Sequence, residues 1–370
     1  MPAHPIGPHL QGPHEAEADF VVGALGRAIR VRVTGAGAGA LAAAFAEAWA
    51  HLLLDPRAES DDEVVLDSPG DTRDSVAVGL AHASALITRS LIDLSTGQGL
   101  LFHAAAAVRA DGRAILLVGP SGAGKTTAIT RLACPHGYLT DETALVGADG
   151  RVLPYPKPLS VERGGPAKAQ LAPAELGLRV AGVAHEVDRV IVLNREAGGS
   201  RRPRSRRLDV VESLEALVPQ LSALQHHPSP LGALAELIRQ VGGIEQLSYA
   251  DVLDLDPDSG PPASPRLPAE ELAFTNVACD RDDGTGPGLI RTQPDDALET
   301  SDLLVLAHGS EIRVLAGVAK TLWLEAATAR SEAELLDRLR AVHGTAPGDD
   351  LALHTTIDVL VRAEVLEWRT

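Results

Sequence analysis

Leu116-Leu117-Val118-Gly119-Pro120-Ser121-Gly122-Ala123-Gly124-Lys125-Thr126-Thr127 fits the pattern G-x-x-x-x-G-K-[ST] without a gap. The apolar run Ala114-Ile115-Leu116-Leu117-Val118 reads as a buried strand, and residues 126–133 follow with helical spacing. Strand, loop and helix therefore stand in the order a phosphate-binding loop needs. Backbone N–H groups across Gly119, Ser121, Gly122, Ala123, Gly124, Lys125, Thr126 and Thr127 would converge on phosphate oxygens, with Lys125 reaching the β- and γ-phosphates. Thr126 would offer its hydroxyl to Mg²⁺, so ATP and Mg²⁺ are the expected cofactors. A chance match is the alternative in a chain with 35 glycines, but the flanking strand and helix argue against it. So does the lysine, one of only four in the chain.

Upstream, the runs 100–108 and 113–118 flank Ala110-Asp111-Gly112, a hairpin turn, so the two strands should pair antiparallel. A doubly wound nucleotide fold enters its loop from a parallel crossover instead. Downstream, Gly137-Tyr138-Leu139-Thr140-Asp141-Glu142-Thr143 reads as a short strand ending in two acids, whose side chains should point to opposite faces. A second hairpin turns on Ala148-Asp149-Gly150. Pro154, Pro156 and Pro158 punctuate an extended piece, and Arg189–Leu193 is another buried strand. Helices are expected over 211–224 and 229–242. The run Arg201-Arg202-Pro203-Arg204-Ser205-Arg206-Arg207 reads equally as a solvated loop or as a contact for an anion or peptide.

A net charge of -17 argues against a nucleic-acid binder that works by phosphate neutralisation. Cys134 and Cys279 make neither a disulfide framework nor a zinc site. No apolar run reads as a membrane span and no export signal opens the chain, so a cytoplasmic protein with no membrane partner is expected. The composition divides the chain into a disordered tail over 1–16, with His4, His9 and His14 as tail residues rather than a metal site; an α/β segment over 17–95; a catalytic segment over 96–255; a Pro/Ser/Asp-rich linker over 256–270; and a small unit over 271–370. The expected fold class is α/β: a P-loop core of mixed sheet entered by a β-hairpin, an N-terminal α/β segment, and a C-terminal winged-helix-like domain. A homo-oligomer is left open.

Phosphoryl transfer needs a phosphate cradle, a metal ligand and a group that orients the nucleophile. The loop supplies the first, and the acid pair is placed to supply the others. With His103 on the preceding strand, Gly119–Thr127, Asp141-Glu142 and Pro156-Lys157-Pro158-Leu159-Ser160, residues 95–250 resemble the catalytic domain of HPr kinase/phosphorylase and the HPr kinase-like enzymes found beside peptide-natural-product genes. The resemblance implies Asp141 as general base, Glu142 with Thr126 as metal ligands, and catalytic roles for His103 and Lys125. Without it, a lone histidine on an apolar strand reads as a core residue. The chain departs from the family in Glu142, where the family has a second Asp, in the Thr126-Thr127 hydroxyl pair, and in lacking the glycine-rich signature of the bifunctional enzymes. These departures leave HPr as substrate and the phosphorolysis reaction open.

Residues 302–306, 312–319, Trp323, 331–336 and 365–367 resemble the PqqD-like domains that bind leader peptides as an added strand. Together the two resemblances imply an ATP-dependent kinase that phosphorylates a Ser or Thr hydroxyl of a peptide or small protein docked through residues 271–370. The alternatives are a small-molecule hydroxyl kinase and a non-kinase ATP-binding adaptor for a peptide-modifying enzyme.

Overall fold

The computed structural model describes residues 18–133, 136–196, 198, 202–256, 260–281, 287–345 and 348–369. The expected tail over 1–16, Cys134 and Arg201 lie outside the described residues. The chain has a mixed α/β fold with several sheets.

The N-terminal segment comprises β1 (Ala18–Ala24), β2 (Arg27–Thr34), α1 (Ala38–Trp49), β3 (Asp62–Asp67) and α2 (Arg73–Ser95). β1 pairs antiparallel with β2, and β2 pairs parallel with β3 across α1. A Cβ on Gly37, at the start of α1, would collide with the Gly70 carbonyl, so the glycine-rich turn is filled by the chain's own backbone. Helix α2 is long and apolar enough by composition to cross a membrane, which the sequence reading did not foresee. One stripe of it, Ala83, Ile87 and Leu91, packs with Phe45 and Trp49 into the N-terminal core.

The middle of the chain runs through β4 (Gly99–Val108), β5 (Ala114–Val118), α3 (Lys125–Ala133), β6 (Gly137–Thr140), β7 (Thr143–Gly147), β8 (Arg151–Leu153), β9 (Leu159–Val161), β10 (Ala169–Leu171), β11 (His185–Arg195), β12 (Arg204–Arg207), α4 (Val210–Leu217), β13 (Leu221–Ser222), α5 (Pro230–Val241) and β14 (Glu245–Tyr249). Nine of these strands form one sheet in the order β12-β14-β11-β5-β4-β7-β8, with β6 and β13 also on β4. The hairpin expected before the loop is present, since β4 and β5 pair antiparallel. β11 continues the sheet parallel to β5 and to β14. Strand alternation sends Ala104, Ala106, Leu116 and Val118 to the face covered by α4 and α5, and Ala105, Ala107, Ile115 and Leu117 to the face covered by α3. The expected helix over 211–224 ends at Leu217, because Pro219 cannot donate to the next turn and the chain passes through a 3₁₀ turn into β13.

Arg204–Arg207 of the arginine-rich run form the outer strand β12. Arg206 forks onto Glu212 with both bonds at 2.9 Å, while Arg207 is spent on the Gly243, Ser264 and Pro265 carbonyls. Charge on an outer strand also disfavours pairing with another chain.

The last segment has β15 (Thr275–Asn276), β16 (Gly288–Arg291), β17 (Asp296–Glu299), β18 (Leu303–His308), β19 (Glu311–Ala316), α6 (Gly317–Glu325), α7 (Glu332–His343), α8 (Asp349–Arg362) and β20 (Leu366–Arg369). Its four-stranded sheet, β15-β17-β18-β19, is covered on both faces. Leu304, Leu306 and Leu315 meet α6, α7 and α8, while Leu298, Val305 and Ala307 join Leu231 and Leu234 of α5 in the central core. The segment read as a linker is held too. Arg189 donates to the Pro261 and Pro262 carbonyls, Ser264 N–H donates to Glu245, and Leu267 N–H donates to Gly242. Residues 260–268 are therefore bonded to the sheet rather than strung as a flexible tether.

Candidate functional site

The Gly119–Gly124 loop joins β5 to α3, so Lys125 and Thr126 begin a helix just past the C-terminal end of an interior strand of the sheet. Gly124 has φ +93°, and a Cβ there would lie 3.1 Å from the Tyr249 hydroxyl. Both facts favour glycine. Tyr249, at the end of β14, donates to the Ala123 carbonyl at 2.8 Å and fixes the crest of the loop from below. The Lys125 ammonium donates to the Gly119 and Pro120 carbonyls at 2.5 and 3.2 Å, and burial lowers its pKa against the pull of Glu142 and Asp141.

The two acids fall in the break between β6 and β7. The ladder keeps one register across it, with Ala106 opposite Thr140, His103 opposite Thr143, and Ala104 N–H donating to the Glu142 carbonyl. Strand-like alternation therefore survives, and the acids have different environments. Asp141 is buried, accepting from the Tyr138 hydroxyl at 2.9 Å and the Thr126 hydroxyl at 3.2 Å. The Glu142 side chain is 45% exposed, with Oε2 2.9 Å from the Lys157 ammonium. Burial works against the Glu142 charge, but Lys157, His103 and Lys125 outweigh it and hold the carboxyl below the usual range. The hydroxyl of Thr126 thus meets Asp141, whereas the expected metal pair was Thr126 with Glu142.

His103 faces the same space from β4. Burial and the Lys125 charge both lower its pKa, against Glu142 and Asp141. A cleft of about 1110 Å³ is lined by His103, Ser121, Gly122, Gly124, Lys125, Thr126, Thr127, Asp141 and Glu142, so most of the expected site residues converge. Gly119 and Ala123 contribute through carbonyls that brace the loop. The lining also includes residues the sequence did not single out, notably Lys168 beside the β9–β10 hairpin and Arg195, together with Val252 and Leu253. Lys157 belongs to the stretch 156–160 that carries part of the family resemblance, which implies no role for it. The signal was there: of the four lysines, Lys125 and Lys168 line the cleft and Lys157 touches both acids.

Among the described residues no group of three or more His, Cys, Asp or Glu side chains could hold a metal ion. Thr126 and Asp141 offer hard oxygens of the kind Mg²⁺ prefers, and Mg²⁺ commonly takes its remaining ligands from water and substrate phosphates. The donor set fits such an ion only with a phosphate ligand present.

A comparison with curated proteins finds no significant match. The family described as SynChlorMet cassette protein ScmC matches residues 70–157, which is 88 of the 370 residues. That span carries α2, His103, the Gly119–Thr127 loop, the acid pair and Lys157, so the chain is similar to this family over the part that builds one wall of the cleft.

Proposed function

We propose that the chain is an ATP-dependent, HPr kinase-like phosphotransferase that moves the γ-phosphate of ATP to a Ser or Thr hydroxyl of a peptide or small protein. The observation that carries this reading is the Thr126–Asp141 hydrogen bond at 3.2 Å, which joins a complete G-x-x-x-x-G-K-T loop to a buried carboxylate inside one cleft. A glycine-rich turn without a phosphate ligand has no need of a buried acid on its helix-opening hydroxyl.

Bound Mg²⁺ would neutralise charge on the β- and γ-phosphates, and Thr126 and Asp141 are the residues to hold it. Lys125 would leave its loop carbonyls for the phosphates and stabilise charge on the transferred group. Glu142 faces the cleft as an ionised carboxylate and would orient the acceptor hydroxyl and take its proton. The acceptor oxygen bonds to the γ-phosphorus as the bond to the β–γ bridging oxygen breaks, and ADP departs. This exchanges the roles the family resemblance implied for the two acids. His103, opposite Thr143, would complete the wall around the reacting groups. In the winged-helix, PqqD-like reading a peptide acceptor docks on residues 271–370, where β19 is the outer strand of its sheet.

Incubation with γ-labelled ATP, Mg²⁺ and Ser- or Thr-containing peptides tests the proposal. Label on peptide is expected. Label on a metabolite alone would replace it with small-molecule phosphorylation, and release of free phosphate alone with an adaptor ATPase.

A further inference from the structure

Lys157 is 1% exposed, and its ammonium lies 2.9 Å from Glu142 Oε2, 3.7 Å from Asp141 Oδ1 and 3.4 Å from the Pro158 carbonyl. Two explanations compete. The ammonium either helps to hold the chain in place or acts on the acids.

The backbone around Lys157 is fixed without its side chain. Tyr155 N–H donates to the Leu139 carbonyl at 2.9 Å, and Lys157 N–H donates to the Tyr155 carbonyl at 2.8 Å. The Tyr155 hydroxyl meets Thr88 Oγ1 of α2 at 2.7 Å, and the His51 ring meets the Pro156 carbonyl at 2.6 Å. Pro154, Pro156 and Pro158 restrict the remaining freedom. Nor is the ion pair a good reason for stability, because apolar residues of similar volume generally serve a buried position as well or better. What only an ammonium can do here is sit between two adjacent carboxylates, which would otherwise repel, and keep each in its own place.

We propose that Lys157 is a positioning residue that holds Glu142 against the cleft wall by Oε2, leaving Oε1 for the acceptor hydroxyl, while keeping Asp141 at Thr126. The N-terminal segment takes part, since Thr88 and His51 brace the Pro154–Pro158 stretch between β8 and β9 that carries the lysine. This inference rests on the phosphotransfer reading and adds to it the group that divides labour between the two acids.

The test compares wild type, Lys157→Met, Glu142→Gln and the double variant in full-length protein, with steady-state γ-phosphate transfer and thermal melting measured for each. Lys157→Met should lower kcat by about 10²-fold with the nucleotide KM within about threefold, since the lysine acts through a group that matters in the transition state. The double variant should be no slower, within about threefold, than the slower single one, as for residues that work as a unit. Multiplicative losses, or a Lys157→Met kcat equal to wild type, would overturn the role of Lys157 while leaving phosphotransfer standing. A wild-type protein that transfers no γ-phosphate to a peptide or small-protein hydroxyl, whether or not it releases free phosphate, defeats the phosphotransfer reading and this inference with it. Should Lys157→Met fail to fold, Lys157→Arg keeps the charge and moves it. A kcat about tenfold lower at unchanged nucleotide KM is then expected, and a wild-type kcat would overturn the inference.

Discussion

Thr126 Oγ1 donates to Asp141 Oδ2 across 3.2 Å, tying the first turn of α3 to the break between β6 and β7. In the proposed phosphotransfer that hydroxyl and carboxylate would face a hard cation together, while Glu142 sits 2.9 Å from Lys157. Asp141→Asn is therefore expected to raise the Mg²⁺ concentration for half-maximal rate by about tenfold, whereas Glu142→Gln lowers kcat by about 10²-fold at an unchanged Mg²⁺ requirement. Mg²⁺ titrations of both variants check this, and the reverse pattern would restore the roles the family resemblance implied.

Tyr249→Phe removes only the hydroxyl that supports the Ala123 carbonyl. One neutral hydrogen bond is worth about 0.5–1.5 kcal/mol, so stability should fall by that amount. The loop crest gains freedom, and the nucleotide KM should rise about three- to tenfold with kcat nearly unchanged, as expected when uniform binding is lost. Denaturant unfolding and initial rates are the measurements.

Much of this was legible locally. The loop, the hairpin on Asp111-Gly112 and the strand–acid–strand run all lie within short windows, where turn chemistry and period-2 patterning speak directly. Long-range pairing was not legible. Nothing near Asp141 in sequence says that the Thr126 hydroxyl on α3 meets its carboxylate at 3.2 Å while the Lys157 ammonium lies 3.7 Å away. Residues 260–268 have a linker's composition because prolines donate no N–H, yet the Pro261 and Pro262 carbonyls satisfy Arg189. Composition reports what a segment cannot pair within itself; it does not report what other elements pair with it.

Arg189 and Glu245 form a bidentate pair at 2.7 and 2.9 Å, with Glu245 fully buried. Removing one partner strands the other charge, so Glu245→Gln should destabilise by about 3–5 kcal/mol, and Arg189→Met with Glu245→Leu should recover part of it. Burial opposes the Glu245 charge, but hydrogen bonds from Arg189, Ser264 and Ser205 outweigh it and depress its pKa. A depressed carboxyl contributes stability above its unfolded pKa and loses it as pH falls through the folded value. The stability gap between wild type and Glu245→Gln should accordingly be widest near neutral pH and narrow in acid, as urea melts across pH will show.

Helix α5 begins at Pro230, and its N-cap residue Ser229 makes no side-chain cap to the helix. The cap comes from the C-terminal segment, where Asp296 Oδ2 accepts from Leu231 N–H at 2.8 Å, Gly232 N–H at 3.4 Å and Ser229 Oγ at 3.2 Å. A carboxylate at a helix N-terminus also meets the positive end of the dipole. Asp296→Ala should then cost about 1–2 kcal/mol. Removing residues 271–370 should cost far more, because it also uncovers Leu231 and Leu234, each worth about 1.5–3 kcal/mol of burial, in a protein whose whole margin is about 5–15 kcal/mol. A chain ending at residue 260 is thus expected to melt at lower temperature, bind a hydrophobic dye and self-associate, and its loss of activity would not isolate a docking role. The cleaner separation leaves the interface whole and changes the outer strand: Val314, 37% exposed on β19, replaced by Pro removes a β-strand N–H without touching α5. If peptides dock there, Val314→Pro should weaken peptide affinity about tenfold while peptide-independent ATP hydrolysis stays at the wild-type rate. Fluorescence titration of a labelled peptide against both proteins gives the answer, and equal affinities in a folded Val314→Pro protein would remove β19 as the docking strand.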